Sequence, residues 1–150
     1  MTGTACRIDR DGVMKALPHR EEMLMIDCVT ELERGRRAIG YKDIINGEFW
    51  CAGHFPGESI FPGVLVIEMM AQISALAFYR KGGPEAKPLL AKVDNVKFLS
   101  KVTPGCRLFV EAVLDAEIAG FFRMKCRAFR DGEDVAVGKL TCCMKHGDAE

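Results

Sequence analysis

Three consecutive segments in the second half of the sequence alternate apolar with polar residues, and this alternation constrains the fold most strongly. The segments span 107–117, 122–128 and 135–145, with turn signals at Gly120 and at Asp131-Gly132 between them. Successive side chains of a strand point to opposite faces, and Asp-Gly between alternating segments is a strong hairpin signal. In the first two segments, the apolar residues that alternate with a partly charged set are Leu108, Val110, Ala112, Leu114, Ala116, Phe122, Met124, Cys126 and Ala128. The pattern predicts a meander of antiparallel strands.

Weaker patterns complete the predicted sheet. Residues Met23–Leu32 alternate with period two, and Arg36–Ile45 continues after Gly35, which predicts a hairpin. Leu89–Leu99 is a further strand, interrupted by Asp94-Asn95. Near the N-terminus, Asp9–Leu17 has helical spacing and stops at Pro18. We therefore expect one short helix and five or six strands, mostly antiparallel.

The segment Ile60–Tyr79 is apolar nearly all round, which predicts a helix buried on most sides. Pro62 is expected at its first helical position, and the helix should end before Gly82. A membrane span is the competing interpretation, but the run is short and holds Glu68 and Gln72 at mid-length. We predict an α+β fold in which a curved antiparallel sheet wraps a long central helix, with residues 1–150 forming a single domain.

Composition excludes several classes of function. The 21 Lys and Arg balance the 21 Asp and Glu, so no global field attracts nucleic acid or an anionic membrane. Seven cysteines without a C-x-x-C pair suggest neither a disulfide framework nor a zinc site. The first residues lack the basic run and apolar stretch of a secretory signal. These observations predict a cytoplasmic protein.

The residues with catalytic potential cluster just before and within the central helix. His54 lies in Gly-His-Phe-Pro-Gly at 53–57, where glycine and proline give an irregular, rigid backbone. Histidine accepts a proton near neutral pH, so His54 is a candidate general base. The alternative is a loop histidine whose hydrogen bonds are satisfied by the backbone.

Glu68 is expected within the apolar helix, where an unpaired carboxylate is strongly disfavoured. It should therefore be neutral, paired or functional. Desolvation raises a carboxyl pKa, and a raised pKa suits a general acid. The alternative is a narrow polar stripe shared with Gln72 at i+4, reaching water or a partner subunit.

Gly63 is an early residue of the helix and offers a backbone N–H without an intrahelical partner at the positive end of the helix dipole. That N–H could bind a thioester carbonyl as negative charge develops. The alternative is that the glycine only permits the turn. Together, base, acid and amide suit elimination of water from a 3-hydroxyacyl thioester. This chemistry needs no metal or redox cofactor.

The sequence resembles the hotdog-fold β-hydroxyacyl-acyl-carrier-protein dehydratases of the FabZ type. The matching motifs are Leu17-Pro18-His19-Arg20, Asp27, Gly-His-Phe-Pro-Gly at 53–57, Pro-Gly-Val-Leu at 62–65, Ile67-Glu68, Val-Asp-Asn-Val-Lys-Phe at 93–98, and Pro104-Gly105. Glu68 with Gln72 resembles the plain dehydratases more than the dehydratase-isomerases, which usually carry Asp and Trp there. The chain departs from the family at Glu21-Glu22-Met23 and at Ser59, which bears on substrate choice and carrier docking.

The resemblance implies homodimers whose strands join, often assembled as three dimers in a hexamer. It implies that His54 of one subunit faces Glu68 of the other, and that the Gly63 amide binds the thioester carbonyl. Phe55, Val64 and Gln72 are assigned with Gly63 to substrate binding. The acyl chain is expected in an apolar tunnel beside the central helix, delivered by the phosphopantetheine arm of an acyl carrier protein.

An acidic carrier protein requires a basic docking surface. Arg123, Lys125 and Arg127 on one strand face, or Lys97 with Lys101, are the candidates, and a merely solvated face is the alternative.

Two other functions fit the same residues. A thioesterase could use Glu68 to activate water, or Cys51 as nucleophile, although a buried inert cysteine is commoner. A non-enzymatic acyl-binding subunit could keep the fold without turnover.

Overall fold

The computed structural model describes residues 8–53, 57–78 and 87–145, which form a six-stranded sheet and three α-helices. The helices are α1 (Arg10–Ala16), α2 (Phe49–Gly53) and α3 (Gly63–Leu76), and a short 3-10 turn spans Glu21–Met23. The strands are β1 (Cys28–Glu33), β2 (Arg37–Ile44), β3 (Lys87–Phe98), β4 (Cys106–Ile118), β5 (Phe121–Arg130) and β6 (Glu133–Lys145).

The sheet has the order β1-β2-β4-β5-β6-β3, and every neighbouring pair is antiparallel. The β4–β5 and β5–β6 turns both place two residues at positive φ, at Ala119-Gly120 and at Asp131-Gly132. This is the tight turn whose twist matches that of the flanking strands. The predicted meander is confirmed, because its local turn chemistry and its alternation specify the same register.

Helix α3 packs against β2, β3, β4, β5 and β6, so the sheet wraps around it as predicted. The prediction that Pro62 is its first helical residue is wrong. Pro62 has an extended ψ of 134° and caps the helix, since its carbonyl accepts hydrogen bonds from the N–H groups of Leu65 and Val66. At the other end, the N–H of Gly35 in the β1–β2 turn donates to the carbonyl of Ala77. Within the described residues, no helix is long and apolar enough to cross a membrane.

The predicted start of β1 at Met23 is also wrong, because the strand begins at Cys28. The side chain of Gln72 binds the backbone at Met23 and Met25, so this stretch pairs with the central helix instead of a neighbouring strand. Met25 and Ile26 are both buried, which removes the alternation on which the prediction relied. The short helix α2 was not predicted.

Candidate active site

Glu68 lines a small cavity of ≈ 60 Å³. Its side chain is 23% exposed. The cavity is built from the loop after α1, from α3, and from the two neighbouring strands β3 and β6. Its lining is completed by His19, Ala71, Gln72, Leu89, Leu90 and Cys142. A single carboxylate is thus surrounded mainly by apolar groups and by two polar side chains that contact it.

Gln72 holds Glu68 in place through a buried hydrogen-bond network. Its Nε2 donates to Glu68 Oε1 at 2.9 Å and to the carbonyl of Met23 at 2.6 Å, while its Oε1 accepts from the N–H of Met25 at 2.8 Å. The side chain is 1% exposed, and both N–H donors are used. The polar atoms of Gln72 are thus engaged by the protein, and its assignment to substrate binding stays a prediction. Glu68 and Gln72 form a hydrogen-bonded polar pair on α3.

Gln72→Met is expected to lower the free energy of unfolding by about 2 kcal/mol, because the buried N–H of Met25 would lose its acceptor. Chemical denaturation of both proteins measures the difference. Val64→Ala on the same helix is the matched control, since Val64 is 72% exposed and exposed substitutions change stability little. A Gln72→Met variant as stable as wild type would contradict this structural role.

His19 is a second partner of Glu68, and no role was predicted for it from the sequence. Its Nε2 lies 3.3 Å from Glu68 Oε1, and its side chain is 21% exposed. The two residues are far apart in sequence, and only the packing of the loop after α1 against α3 brings them together. The sequence offered one signal for His19, its position directly after Leu17-Pro18 at the end of a helix. That signal does not identify Glu68 as the residue that His19 contacts.

The environment lowers the pKa of Glu68 below its ordinary value, contrary to the prediction of a raised pKa. Burial is the largest single influence and acts to raise the pKa. The hydrogen bonds from His19 and Gln72, with the charge of His19, stabilise the carboxylate and together outweigh burial. The prediction accounted for desolvation but not for donors from distant segments.

Gly63 is the first residue of α3, where the sequence predicted Pro62, and it lies against the ring of Phe98. A Cβ added at Gly63 would meet that ring at 3.0 Å, so the ring covers the start of the helix closely. Both residues line a mostly apolar cavity of ≈ 430 Å³ that does not include Glu68. Val64 lines neither this cavity nor that of Glu68. His54 and Phe55, assigned to catalysis and substrate binding, lie outside the described residues.

The segment that carries His54 is flanked by buried anchors. The ring of Trp50 in α2 packs edge-on against Phe61, with centroids 5.2 Å apart. Lys42, only 5% exposed, places its Nζ 2.7 Å from Glu48 Oε2 just before α2. The thiol of Cys51 donates to the carbonyl of Ile45, with Sγ and O 3.8 Å apart. These contacts hold α2 and Phe61, the described parts of the chain on either side of residues 54–56.

A basic groove of ≈ 810 Å³ runs along the outer face of the sheet. Lys97, Lys125, Arg127 and Lys139 line it, with Glu111 as the single acidic residue. Arg127 is paired with Glu111 and Asp134, and Lys139 with Asp115. Lys97 and Lys125 form no ion pair with any residue that the structure describes. The basic groove thus contains Lys125 and Arg127 from one predicted basic set and Lys97 from the other.

The other two predicted basic residues do not line the groove. Arg123 binds Asp115 at 2.8 Å, and Lys101 binds Glu58 at 3.1 Å.

A six-stranded antiparallel sheet around one central helix is a hotdog fold, and solved structures share it. One chain of the dehydratase heterocomplex ApeI:P from Xenorhabdus doucetiae superposes with a TM-score of 0.75 at 19% identity, covering 90% of this chain and 91% of that chain. The uncharacterized protein PH1136 from Pyrococcus horikoshii gives a TM-score of 0.68 at 17% identity, over 88% and 94% of the two chains. These likenesses establish the fold alone.

Sequence comparison gives the family. The model of the FabA-like domain matches residues 17–139. A relative from Caldicellulosiruptor saccharolyticus, named 3-hydroxyacyl-[acyl-carrier-protein] dehydratase FabZ, is 36% identical over 91% of this chain and 99% of its own length. A protein of the same name from Clostridium botulinum is 38% identical over 89% and 93%. The chain belongs to the FabA-like family of 3-hydroxyacyl-acyl-carrier-protein dehydratases, and its relatives are of the FabZ type.

Proposed function

We propose that this chain removes water from (3R)-3-hydroxyacyl thioesters on acyl carrier protein to give trans-2-enoyl thioesters, in type II fatty acid or related lipid synthesis. The observation that carries the proposal is Glu68, a carboxyl group held in an apolar cavity by Gln72 and His19 on the central helix. A cytoplasmic location is part of the proposal. The six cysteines in the described part of the chain are all free thiols, as a reducing compartment requires.

The proposed reaction divides the work among three groups. The thioester acidifies the C2 proton, which the imidazole of His54 removes as general base. The N–H of Gly63 at the start of α3 donates to the thioester carbonyl as charge develops on its oxygen. The carboxyl of Glu68 supplies the proton with which the C3 hydroxyl leaves as water. No resident cofactor takes part.

We further propose that two copies pair along β3. This strand forms one edge of the sheet, and Leu89, Leu90 and Val93 on it are 49%, 44% and 43% exposed. The opposite edge, β1, is partly covered by Ile8, which exchanges two backbone hydrogen bonds with Val29. A long apolar edge favours pairing with another strand. Leu89 and Leu90 also line the Glu68 cavity, so a copy paired at β3 would lie beside it.

Pairing at β3 would complete the site across the dimer, with His54 of one subunit facing Glu68 of its partner. The cavity at Glu68 is only ≈ 60 Å³ in one protomer, too small for an acyl thioester, so a second copy would supply the remaining walls. A further assembly of three dimers into a hexamer remains a prediction.

The basic groove is the proposed docking surface for the acidic carrier protein. Lys97 and Lys125 are unpaired among the described residues, so their charges are available to a partner. Phe98, which follows Lys97 on β3, contacts the start of α3 at Gly63. Successive residues of a strand point to opposite faces. Strand β3 therefore lines the basic groove with Lys97 on one face and covers the proposed carbonyl-binding amide of Gly63 with Phe98 on the other.

Reversing both charges with Lys97→Glu and Lys125→Glu is expected to raise KM for the carrier-bound substrate about tenfold or more, because opposite charges across an interface stabilise the encounter. The same variant should turn over the pantetheine thioester of the same acid at the wild-type rate. Lys15→Glu, a reversal at an exposed lysine of α1 outside the groove, is the matched control. An unchanged KM for the carrier-bound substrate would contradict the docking surface.

Thioester hydrolysis is a second candidate, because an ionised Glu68 could activate water, and the lowered pKa of Glu68 favours that form. Incubation with 3-hydroxyacyl carrier protein of several chain lengths, with products identified by mass, distinguishes the two. Dehydration gives the enoyl thioester, which is lighter by one water. Hydrolysis gives free acid and the free carrier thiol, and that product pattern would overturn the proposal.

A further inference from the structure

The pair formed by His19 and Glu68 lies within one protomer and is held from both sides. Arg20 fixes the backbone of the loop, since its Nη1 donates to the carbonyl of Leu17 at 2.8 Å and to that of His19 at 2.7 Å. Gln72 fixes the carboxylate. Both His19 and Gln72 contact Oε1 of Glu68, which leaves Oε2 without a partner among the described residues.

His19 is not arranged as a structural histidine would be. Its Nδ1 is buried and has no hydrogen-bond partner in the described part of the chain. Buried polar side-chain atoms are normally satisfied, because an unpaired one destabilises the folded state. Among the described residues, the polar contact of the imidazole is the one between its Nε2 and Glu68 Oε1, at 3.3 Å. This arrangement favours a role exerted through Glu68.

The proposed elimination needs a proton at the departing hydroxyl, yet the surroundings of Glu68 favour its ionised form. An ionised carboxyl has no proton to give, so a neighbouring group must hold one. Imidazole is the side chain that carries a proton near neutral pH and can release it. His19 is in contact with the carboxylate that needs it.

We propose that His19 stores the proton that Glu68 passes to the departing hydroxyl, so that the two side chains act as one proton-donating pair. The inference rests on the proposed dehydration. In the balanced step, the C2–H bond breaks and its proton goes to the base assigned to His54. As the C3–O bond breaks, His19 passes its proton to Glu68 and Glu68 passes it to the hydroxyl, which leaves as water. Solvent then restores the proton of His19, while the base returns its proton to solvent. His19 acts through Glu68 and is a positioning residue.

The other groups facing the pair do not replace His19 as the donor. From β6, the Cys142 thiol lines the cavity, and burial raises its pKa to about 11, so it stays neutral and holds its proton. From β3, Leu89 and Leu90 are apolar, and α3 adds the uncharged Ala71 and Gln72. The guanidinium of Arg20 is engaged by two carbonyl groups of its own loop.

The test is the pH dependence of kcat for His19→Gln, which keeps an N–H donor but cannot release a proton. We expect the alkaline fall in kcat to move at least one unit to lower pH, which lowers kcat about tenfold or more at pH values above the wild-type fall. KM should change less than about twofold, because the acyl thioester does not bind His19. A kcat lowered by the same factor at every pH would indicate a purely structural role and overturn the proposal.

His19→Lys should move the alkaline fall in kcat in the opposite direction. Lysine keeps a proton to higher pH, with an ordinary pKa of about 10.4, so the alkaline fall should move upward. Cys142→Ala is the control for the only other titratable group described in the cavity, and its alkaline fall should match wild type. If Cys142→Ala moves the alkaline fall in kcat instead, that fall is caused by titration of the thiol, and the proposal is overturned. Should His19→Gln fail to fold, His19→Lys decides.

A measurement without turnover separates this inference from the proposed function. Carbon-13 NMR of labelled glutamate carboxyls should show Glu68 titrating at higher pH in His19→Gln, because the variant lacks the charge that favours the carboxylate. An unchanged Glu68 titration overturns the pairing even if wild type dehydrates its substrate. Absence of dehydration by wild type, with the Glu68 titration displaced, would instead defeat the proposed function.

Discussion

Glu68→Gln is expected to lower kcat for dehydration by about 10² or more, because the amide cannot deliver a proton to the departing hydroxyl. The substitution preserves shape, and the amide oxygen can still accept the hydrogen bond from Gln72 Nε2. The variant should therefore fold and bind substrate. Steady-state kinetics with a 3-hydroxyacyl pantetheine thioester, alongside circular dichroism and thermal unfolding, measures both parts of the prediction.

The matched control for this change is Glu33→Gln. Glu33 is also a glutamate in an ion pair, with Arg36 at 3.3 Å, but its side chain is 56% exposed at the end of β1. The same chemical change there should leave kcat at the wild-type value. Near wild-type turnover by folded Glu68→Gln would remove Glu68 from the reaction and with it the mechanism proposed above.

Mixing two inactive variants is expected to restore activity if each site combines residues from two subunits. His54→Ala and Glu68→Gln should each lose about 10² or more in kcat. In a mixed dimer, one site carries both substitutions and the other carries neither. Random pairing makes half of the dimers mixed, so activity should recover to about one quarter of wild type in a two-fold symmetric assembly.

Co-expression of the two variants with different affinity tags isolates the mixed dimers for assay. The control pairs Glu68→Gln with the double variant His54→Ala/Glu68→Gln, which cannot rebuild any intact site and should stay inactive. Mixed dimers of the single variants that are as inactive as this control would place both residues in one subunit's site. That result would contradict the shared site while leaving dehydration itself intact.

Patterns among neighbouring residues predicted much of the fold. The alternation in β4, β5 and β6 and the turns at Gly120 and Asp131-Gly132 are local properties, and the structure forms each of them. Helix α3 was likewise predicted from its apolar composition, although not its first residue. Prediction failed at 23–27, where the backbone is held by Gln72, a residue more than forty positions away.

The site shows the same division. The sequence alone identified Glu68 as an unusual carboxyl within an apolar helix and Gly63 as a residue with a free N–H early in that helix. The tertiary structure decided which side chains surround Glu68. It places His19 and Gln72 against Glu68 Oε1, and their hydrogen bonds lower the pKa of Glu68 instead of raising it. The physical reason is that burial of a carboxyl follows from its own helix, whereas the donors that stabilise its charge come from whichever distant segments the fold packs beside it.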